Sequence, residues 1–306
     1  MVENKVHNVT LSNVAVNNIA NNGILFSGKD CVNNKVVGCK VTNIIGGAGI
    51  AFYNTAGTAS VENNFVYRTR HHCIIVSRGG SNYIIKNNTV YQSGYYIVPG
   101  SDDFAHGIAL DGGGVVRGGN HLVASNTVIN SGLAGIEVAD FQDNVVIELN
   151  FIDGTGTYKE QDDYGIYFGG GLTPSVNCII RDNIIKNTNG YGIRTDAPLN
   201  YNGRTENVQI VNNYIENAGT DGIRIGKVLN SVIVGNVIMN VSSKKNGHSG
   251  ILANYANDTM IKDNTIDDDR NEVRTEYNIY IINCNNVVQE NNRLDRREKS
   301  ELKKMR

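Results

Sequence analysis

The chain has 306 residues and a near-balanced charge, with 28 lysine and arginine residues against 30 aspartate and glutamate residues. This balance argues against a protein that binds nucleic acid through a general basic field, and no apolar segment is long enough to span a membrane. The chain contains 34 glycines, three prolines and no tryptophan. Because glycine and the many asparagines favour turns over helices, an all-helical or doubly wound fold is excluded.

The N-terminus and the cysteines carry little information about the compartment. The first residues lead directly into patterned sequence without an apolar leader. The five cysteines are scattered, odd in number and without metal-like spacing, so we predict free, buried thiols at Cys31, Cys39, Cys73, Cys178 and Cys284.

A short pattern, apolar-x-x-Asn-x-apolar, recurs from the first third of the chain to its end. One clear copy runs from Val61 to Val66. The aligned asparagines are Asn64, Asn88, Asn126, Asn150, Asn183, Asn213, Asn236, Asn264 and Asn292. Their spacing of 23 to 38 residues indicates a unit of about 24 residues that is lengthened by loop insertions.

A second pattern, Gly-Ile, follows the first by about ten residues. Its glycines are Gly23, Gly49, Gly107, Gly135, Gly165, Gly192, Gly222 and Gly250. A unit this short cannot bury its own apolar face, so units must stack, and each strand then pairs with the same strand one coil along. The repeated asparagine falls at a bend, where its amide can pair with those above and below. The sequence therefore predicts a parallel β-solenoid.

These repeats resemble the right-handed parallel β-helix superfamily, the pectate lyase-like fold, over about residues 8–295. The resemblance implies an all-β fold: a single-stranded right-handed parallel β-helix, for which we expect about eleven coils with an asparagine ladder. We assign residues 1–295 to this domain. Residues 296–306 form a charged tail, a candidate helix and a candidate cap for the last coil. Polysaccharide lyases, glycoside hydrolases, uronate epimerases and phage tailspikes all belong to the superfamily, so the resemblance is less specific for activity.

The repeat aligns residues of successive coils and so predicts which side chains share a face. His72 and His106 directly precede the Gly-Ile position on adjacent coils. Asp111, Glu137 and Tyr167 lie further along the Gly-Ile strand, each in a different coil. Asp111 and Glu137 are one coil apart and offset by two residues, which puts their Cα atoms roughly 8 Å apart. That spacing is compatible with the carboxylate pair of an inverting glycosidase. These five residues are the predicted catalytic group.

Further residues of the same face are candidates for binding substrate. Tyrosine rings can stack on sugars, and arginines can bind carboxylates or sulfates of an acidic glycan. The candidates are Arg70, Arg78, Tyr164, Tyr191, Arg194 and Arg224. Two insertions, residues 95–105 and 158–164, are expected to wall the same groove.

Calcium is the one metal that the sequence suggests, and no other cofactor is expected. Asp102 and Asp103 are candidate Ca²⁺ ligands, together with Asp111, and Asp162-Asp163 is the alternative, although no EF-hand or nonapeptide calcium pattern is present. Asp102-Asp103 also matches one element of polygalacturonase-type enzymes, whose other elements do not match fully. The Asp-Pro-His element of alginate epimerases is missing as well.

The resemblance and the predicted face together favour a carbohydrate-active enzyme that cleaves a polysaccharide. In hydrolysis, Asp111 and Glu137 would act as acid and base. In lyase chemistry, Arg70 or Arg78 would neutralise a uronate while His106 or Tyr167 removes its C5 proton. The alternatives are a uronate C5-epimerase and a non-catalytic solenoid, such as a phage tailspike or surface adhesin.

Partners and location follow from the same reasoning. The expected partner is a polysaccharide or oligosaccharide, with no nucleic acid or membrane. We expect a monomer or homotrimer that is extracellular or at a cell surface.

Overall fold

The computed structural model describes residues 2–3, 6–55, 57–78, 80–97, 104–113, 118–140, 142–158, 163–170, 175–196, 205–244, 247–294 and 301–303. These residues form 38 β-strands, and none of them is helical. The strands of three long sheets alternate along the chain, so that each coil passes from the second sheet to the third and then to the first. The architecture is a right-handed parallel β-solenoid, as predicted.

The first sheet has 12 strands. They are β1 (Val2–Glu3), β4 (Ile24–Ser27), β7 (Ile50–Tyr53), β10 (Ile74–Ser77), β13 (Ile108–Asp111), β17 (Ile136–Ala139), β21 (Tyr164–Gly170), β24 (Tyr191–Asp196), β28 (Ile223–Gly226), β32 (His248–Asn254), β35 (Thr275–Ile282) and β38 (Glu301–Lys303).

The second sheet has 11 strands. They are β2 (Thr10–Ser12), β5 (Asn34–Val37), β8 (Ala59–Glu62), β11 (Ile84–Lys86), β15 (Leu122–Ala124), β19 (Val146–Glu148), β22 (Ile179–Arg181), β26 (Gln209–Val211), β30 (Val232–Val234), β33 (Thr259–Lys262) and β36 (Val287–Glu290).

The third sheet also has 11 strands. They are β3 (Ala15–Ile19), β6 (Lys40–Ile44), β9 (Phe65–Thr69), β12 (Thr89–Tyr91), β16 (Thr127–Ile129), β20 (Phe151–Thr155), β23 (Ile184–Thr188), β27 (Tyr214–Glu216), β31 (Val237–Met239), β34 (Thr265–Asp267) and β37 (Arg293–Leu294). Two further pairs join β14 (Gly118–Gly119) to β18 (Gln142–Asp143) and β25 (Thr205–Glu206) to β29 (Val228–Leu229).

The repeated asparagines form a buried ladder between the second and third sheets. In one rung, Asn150 Nδ2 donates to Val123 O and to Asn183 Oδ1, both at 2.9 Å. Asn150 Oδ1 accepts from Asn126 N at 2.9 Å and from Asn126 Nδ2 at 3.0 Å. The regular, ladder-bearing part comprises about nine turns, from Asn64 to Asn292, so the expected eleven coils slightly overstate it. The sheets continue on the N-terminal side of the ladder. There the second coil has Cys39 in place of the asparagine, and the Cys39 N–H donates to Asn64 Oδ1.

Close stacking of the coils explains the Gly-Ile pattern. A Cβ atom at Gly135 would lie 2.5 Å from Ile152 Cγ2 and 2.7 Å from Gly165 O in the next coil. The following Ile136 is fully buried and belongs to the continuous column of aliphatic side chains that forms the core. Glycine therefore lets adjacent coils approach, while isoleucine fills the interior between them.

The cysteines agree with the prediction in being free thiols, and four of the five are buried, whereas Cys284 is partly exposed because it lies near the C-terminal end of the core. Burial raises the pKa of the Cys73 thiol to about 12, so that this group is an unreactive part of the core.

The C-terminal tail differs from its expected helix. Glu301–Lys303 is strand β38, which pairs with Tyr280–Ile282 of β35. A parallel sheet ends in unpaired backbone groups, and these residues satisfy some of them by adding one more strand. A helix is therefore wrong for residues 301–303, whereas residues 296–300 and 304–306 lie outside the described part. Within that described part, no helix is long and apolar enough to cross a membrane.

Candidate functional site

A pocket of about 320 Å³ lies on the outer face of the first sheet, across β10, β13, β17 and β21. It is lined by His72, Phe104, His106, Asp111, Leu133, Glu137, Ala139, Asp140, Tyr164 and Tyr167. The rigid parallel strands fix the position of most of these side chains, and the turns that precede and follow the strands supply the others. All five residues predicted as the catalytic group line this pocket.

The strand register that was predicted from the repeat agrees with the structure on this face. Ala109 of β13 pairs with Glu137 of β17, and Glu137 pairs with Tyr167 of β21. Asp111 pairs with Ala139, two residues further along the same strands. The two carboxylates therefore lie on adjacent coils, diagonally opposed across one strand spacing.

His106 and Glu137 are in polar contact within the pocket. His106 is 3% exposed, and its Nε2 lies 3.0 Å from Glu137 Oε2. The Nδ1 atom accepts a hydrogen bond from Ala134 N at 3.1 Å, so the proton of the neutral ring is on Nε2. The contact of Nε2 with Glu137 is close in distance but does not have the angle of a hydrogen bond. Burial lowers the pKa of His106 to about 3. The pocket thus holds a neutral imidazole N–H against a partly exposed carboxylate.

His72 and Phe104 hold the ring of His106 in place. His72 stacks on His106 with centroids 5.2 Å apart, and its Nδ1 accepts from His106 N at 3.2 Å. Burial, with a smaller effect of the neighbouring His106, lowers the pKa of His72 well below its usual value. Phe104 lies 6.4 Å from the ring of His106 in a stacked orientation. His72 therefore supports His106 through its ring and through the backbone.

Two further carboxylates line the pocket beside Glu137. Asp111 Oδ1 accepts from Gly113 N at 2.7 Å, and its Oδ2 accepts a longer bond from Ser77 Oγ at 3.4 Å. Asp140 follows the end of β17 with φ at 54°, and its carbonyl accepts from the buried Gln142 Nε2 at 3.2 Å. The sequence reasoning did not identify Asp140. The Ala139-Asp140 step at the end of a Gly-Ile strand is the signal that could have revealed it, since Asp tolerates left-handed backbone.

A row of tyrosines leads away from the pocket along the first sheet. The rings of Tyr164 and Tyr167 stack at 4.5 Å, and those of Tyr164 and Tyr191 at 5.7 Å. Arg194 Nη1 donates to Tyr164 OH at 2.7 Å, and its Nε donates to both oxygens of Asp196 at 2.8 Å. The Asp196 carboxylate and the tyrosines raise the pKa of Arg194 even though its burial opposes this.

Arg224 continues the row one coil further. Its Nη1 donates to Tyr191 OH at 3.1 Å, and its Nε lies 3.7 Å from Asp196 Oδ2. Four of the six predicted substrate-binding residues, Tyr164, Tyr191, Arg194 and Arg224, thus form one connected cluster next to the pocket.

The other predicted binding residues lie elsewhere. Arg70 follows β9 at the turn into the first sheet, where its N–H donates to Ile44 O, and Arg78 packs its side chain against Gly113. Neither arginine is among the described residues that line the pocket. Asp102 and Asp103 lie outside the described residues.

Residues 98–103 and 159–162 of the two predicted insertions lie outside the described residues, and the described parts only partly wall the groove. Phe104 lines the pocket, but Tyr96 OH donates to Asn43 Oδ1 at 3.1 Å, and the Arg68 guanidinium lies 4.3 Å over the ring of Tyr95. Both tyrosines therefore pack towards the third sheet, because partners for a hydroxyl and a ring face are available there. Among the described residues, no group of three or more His, Cys, Asp or Glu side chains is arranged to hold a metal ion.

Comparison with known proteins agrees with this architecture. Residues 2–152 and 102–244 match the family model of the right handed beta helix region. The chain belongs to this family. No curated protein sequence matches it.

Several solved structures share the fold. A double mutant of the periplasmic alginate epimerase AlgG has a TM-score of 0.59 and 14% identity, covering 92% of this chain and 69% of that one. The Dettilon tailspike protein has a TM-score of 0.56 and 15% identity, and the match covers 88% of this chain and 62% of that one. The DFA-IIIase from Arthrobacter chlorophenolicus A6 has a TM-score of 0.60 and 10% identity, and the match covers 90% of this chain and 67% of that one. This chain thus spans about two thirds of their lengths, and the likeness at these identities is one of fold.

Proposed function

We propose that the protein is a carbohydrate-active enzyme that hydrolyses a glycosidic bond in a polysaccharide or oligosaccharide lying across the coils of the first sheet. The observation that carries this proposal is the contact of 3.0 Å between Glu137 Oε2 and Nε2 of the buried His106, with Asp111 lining the same pocket. Two carboxylates about one coil apart, both lining one pocket, suit acid–base cleavage of an acetal.

The two carboxylates would divide the work as base and acid. One of them takes a proton from water, and the oxygen of that water bonds to the anomeric carbon as the glycosidic C–O bond breaks. The other gives its proton to the leaving oxygen. Asp111 accepts from Gly113 N and, over a longer distance, from Ser77 Oγ, and Glu137 contacts Nε2 of His106, so both carboxylates are held at the pocket.

The tyrosine row supplies a surface for the sugar rings. Tyr164 and Tyr167 line the pocket, and Tyr191 extends the stack by one coil. Flat sugar faces pack well on aromatic rings whose polar edge stays hydrated. Structural neighbours described as an alginate epimerase and a tailspike support a glycan as the ligand and a location outside the cytoplasm.

A second chemistry is favoured by the position of Arg194. Its guanidinium lies 5.2 Å from the ring centroid of Tyr164 and 5.6 Å from that of Tyr167, where it could neutralise a uronate carboxylate. Tyr167 would then remove the C5 proton, which is followed by β-elimination of the C4 oxygen or by return of a proton to the other face. Tyr167 suits this role better than His106, because the Nδ1 atom of His106, the ring nitrogen that carries no proton, already accepts from Ala134 N. Arg70 and Arg78 are not among the described residues that line the pocket, so Arg194 replaces them here as the residue that would neutralise the uronate.

The experiment incubates the protein with a panel of neutral and acidic polysaccharides, with and without calcium. New reducing ends and the ultraviolet absorbance of unsaturated uronates are followed together, and C5 inversion is followed by NMR. Reducing ends alone support hydrolysis, whereas absorbance that rises with them supports the lyase. Inversion without cleavage supports an epimerase, and glycan binding without turnover would overturn the catalytic proposal in favour of a binding solenoid.

A further inference from the structure

A second pocket lies at the corner where the chain passes from the third sheet to the first, outside the proposed glycan site. Its volume is about 270 Å³, and it spans the ends of three successive strands of the third sheet, β23, β27 and β31. No described residue lines both this pocket and the pocket of Glu137. We call it the corner pocket, and it is lined by Asn187, Thr188, Asn189, Asn217, Ser243 and Lys244.

Hydrogen bonds between coils hold the walls of the corner pocket in place. Ser243 N donates to Ala218 O at 2.9 Å, and Lys244 N donates to Gly219 O at 3.2 Å. A Cβ atom at Gly219 would collide with Asn189 O in the preceding coil, so glycine lets the two coils approach at this point. The pocket is therefore formed by the backbone of adjacent coils before any ligand arrives.

A chain of side-chain amides leaves two oxygen atoms as acceptors. Asn187 Nδ2 donates to Asp153 Oδ1 at 2.7 Å, because an ionised carboxylate only accepts, and Asn187 Oδ1 accepts from Asn217 Nδ2 at 3.1 Å. Asn189 Nδ2 donates to Gly156 O at 2.7 Å. The Oδ1 atoms of Asn189 and Asn217 have no hydrogen-bond partner among the described residues, and neither atom is enclosed. Both are open to a ligand.

Lys244 supplies the complementary donor. It is exposed, and its ammonium group has neither an ion pair nor a hydrogen bond within the described part of the chain. The corner pocket thus offers two amide acceptors and one cationic donor. Phosphate and sulfate carry acceptors, which the amide oxygens would leave unpaired or repel. A sugar unit has hydroxyl groups that both donate and accept, and so it satisfies both kinds of group.

We propose that the corner pocket is a second sugar-binding site, in which hydroxyl groups donate to Asn189 Oδ1 and Asn217 Oδ1 while a sugar oxygen accepts from Lys244 Nζ. The volume lies just below the range of sites for drug-sized ligands, which suits a single sugar unit. Asn189 is two residues before Tyr191, whose ring extends the tyrosine row. The corner pocket therefore adjoins the surface on which the proposed function places the glycan, and in this respect the inference rests on that proposal.

The test titrates the whole, isotope-labelled protein with methyl glycosides of the sugar units found in the panel polysaccharides. A single sugar unit cannot occupy both pockets, and the side-chain amide signals of Asn189 and Asn217 in NMR spectra report on the corner pocket alone. We expect at least one glycoside to shift these signals saturably, with an affinity in the millimolar range, whereas inorganic phosphate and sulfate leave them unchanged. No shift with any glycoside, or tighter binding of either anion than of every glycoside, would overturn the inference.

A lysine variant tests the assigned donor. Lys244→Ala removes it and should weaken glycoside binding at the corner pocket about tenfold, the loss expected for one hydrogen bond to a charged group. Its matched control is Lys35→Ala, an exposed position on β5 of the second sheet, which should leave the affinity unchanged. Equal effects of the two variants would contradict the assignment.

The outcomes separate this inference from the catalytic proposal. Glycoside binding at the corner pocket in a protein that cleaves none of the polysaccharides supports the inference and counts against catalysis. Cleavage without any shift of the Asn189 and Asn217 signals overturns the inference alone.

Discussion

The asparagine ladder should be the most sensitive polar element of the solenoid, and Asn150→Ala tests this. The side chain of Asn150 makes four hydrogen bonds, with Val123 O, Asn183 Oδ1, and both nitrogen atoms of Asn126. The site is 1% exposed, so water cannot replace these partners. At about 1 kcal/mol net for each buried hydrogen bond, the free energy of unfolding should fall by about 4 kcal/mol.

The assay is urea denaturation followed by circular dichroism, with Asn292→Ala as the matched control. Asn292 accepts from Asn264 N and Asn264 Nδ2 and donates to Ile261 O. It lies at the end of the ladder and is partly exposed, so water can replace much of what is lost, and we expect a cost of about 1 to 2 kcal/mol. If Asn150→Ala cost less than about 1 kcal/mol, or no more than Asn292→Ala, the reasoning about the buried ladder would be refuted.

Two further predictions concern stability. Gly135→Ala forces a Cβ to within 2.7 Å of Gly165 O and should lower the free energy of unfolding by about 2 to 3 kcal/mol; an unchanged melting temperature would contradict the role of the glycine column. Burial lowers the pKa of His121 to about 4, although its hydrogen bond with Gln142 opposes this. The unfolded ring titrates near 6.5, so as pH falls from about 6.5 to 4 the unfolded state binds more protons and stability declines by up to about 1.4 kcal/mol per pH unit. Denaturation at several pH values should show that the free energy of unfolding of His121→Gln changes less steeply with pH between about 6.5 and 4 than that of the wild type. An unchanged pH dependence would contradict the assigned pKa.

The fold and the strand register could be predicted because the same residue types recur at the same structural position in each coil. Asn at the bend and Gly before the inward Ile are each required by a neighbour one coil away. Once two coils were aligned, His72 and His106 had to be adjacent, and their rings lie 5.2 Å apart. The same alignment brought Asp111 and Glu137 to one pocket.

Features that depend on irregular backbone were not predictable in this way. A regular repeat would pair Ala139 with the residue that follows Phe168, but a register shift after Val138 pairs Ala139 with Gly170 instead. Asp140 lies in the turn that follows the same strand, where the repeat carries no information. The directions of Tyr95 and Tyr96 depend on contacts with other coils, which spacing alone does not encode.

The catalytic proposal rests most directly on Glu137. On the polysaccharide that gives the fastest product formation, the rate of Glu137→Gln should be compared with that of wild type and of Glu216→Gln. Glu216 is a matched glutamate on the third sheet, paired with Lys186 at 2.8 Å and remote from the pocket. We predict that Glu137→Gln slows turnover at least about a hundredfold with unchanged folding, while Glu216→Gln stays near the wild-type rate. Glu137→Gln with full activity would contradict the assignment of the pocket as the active site.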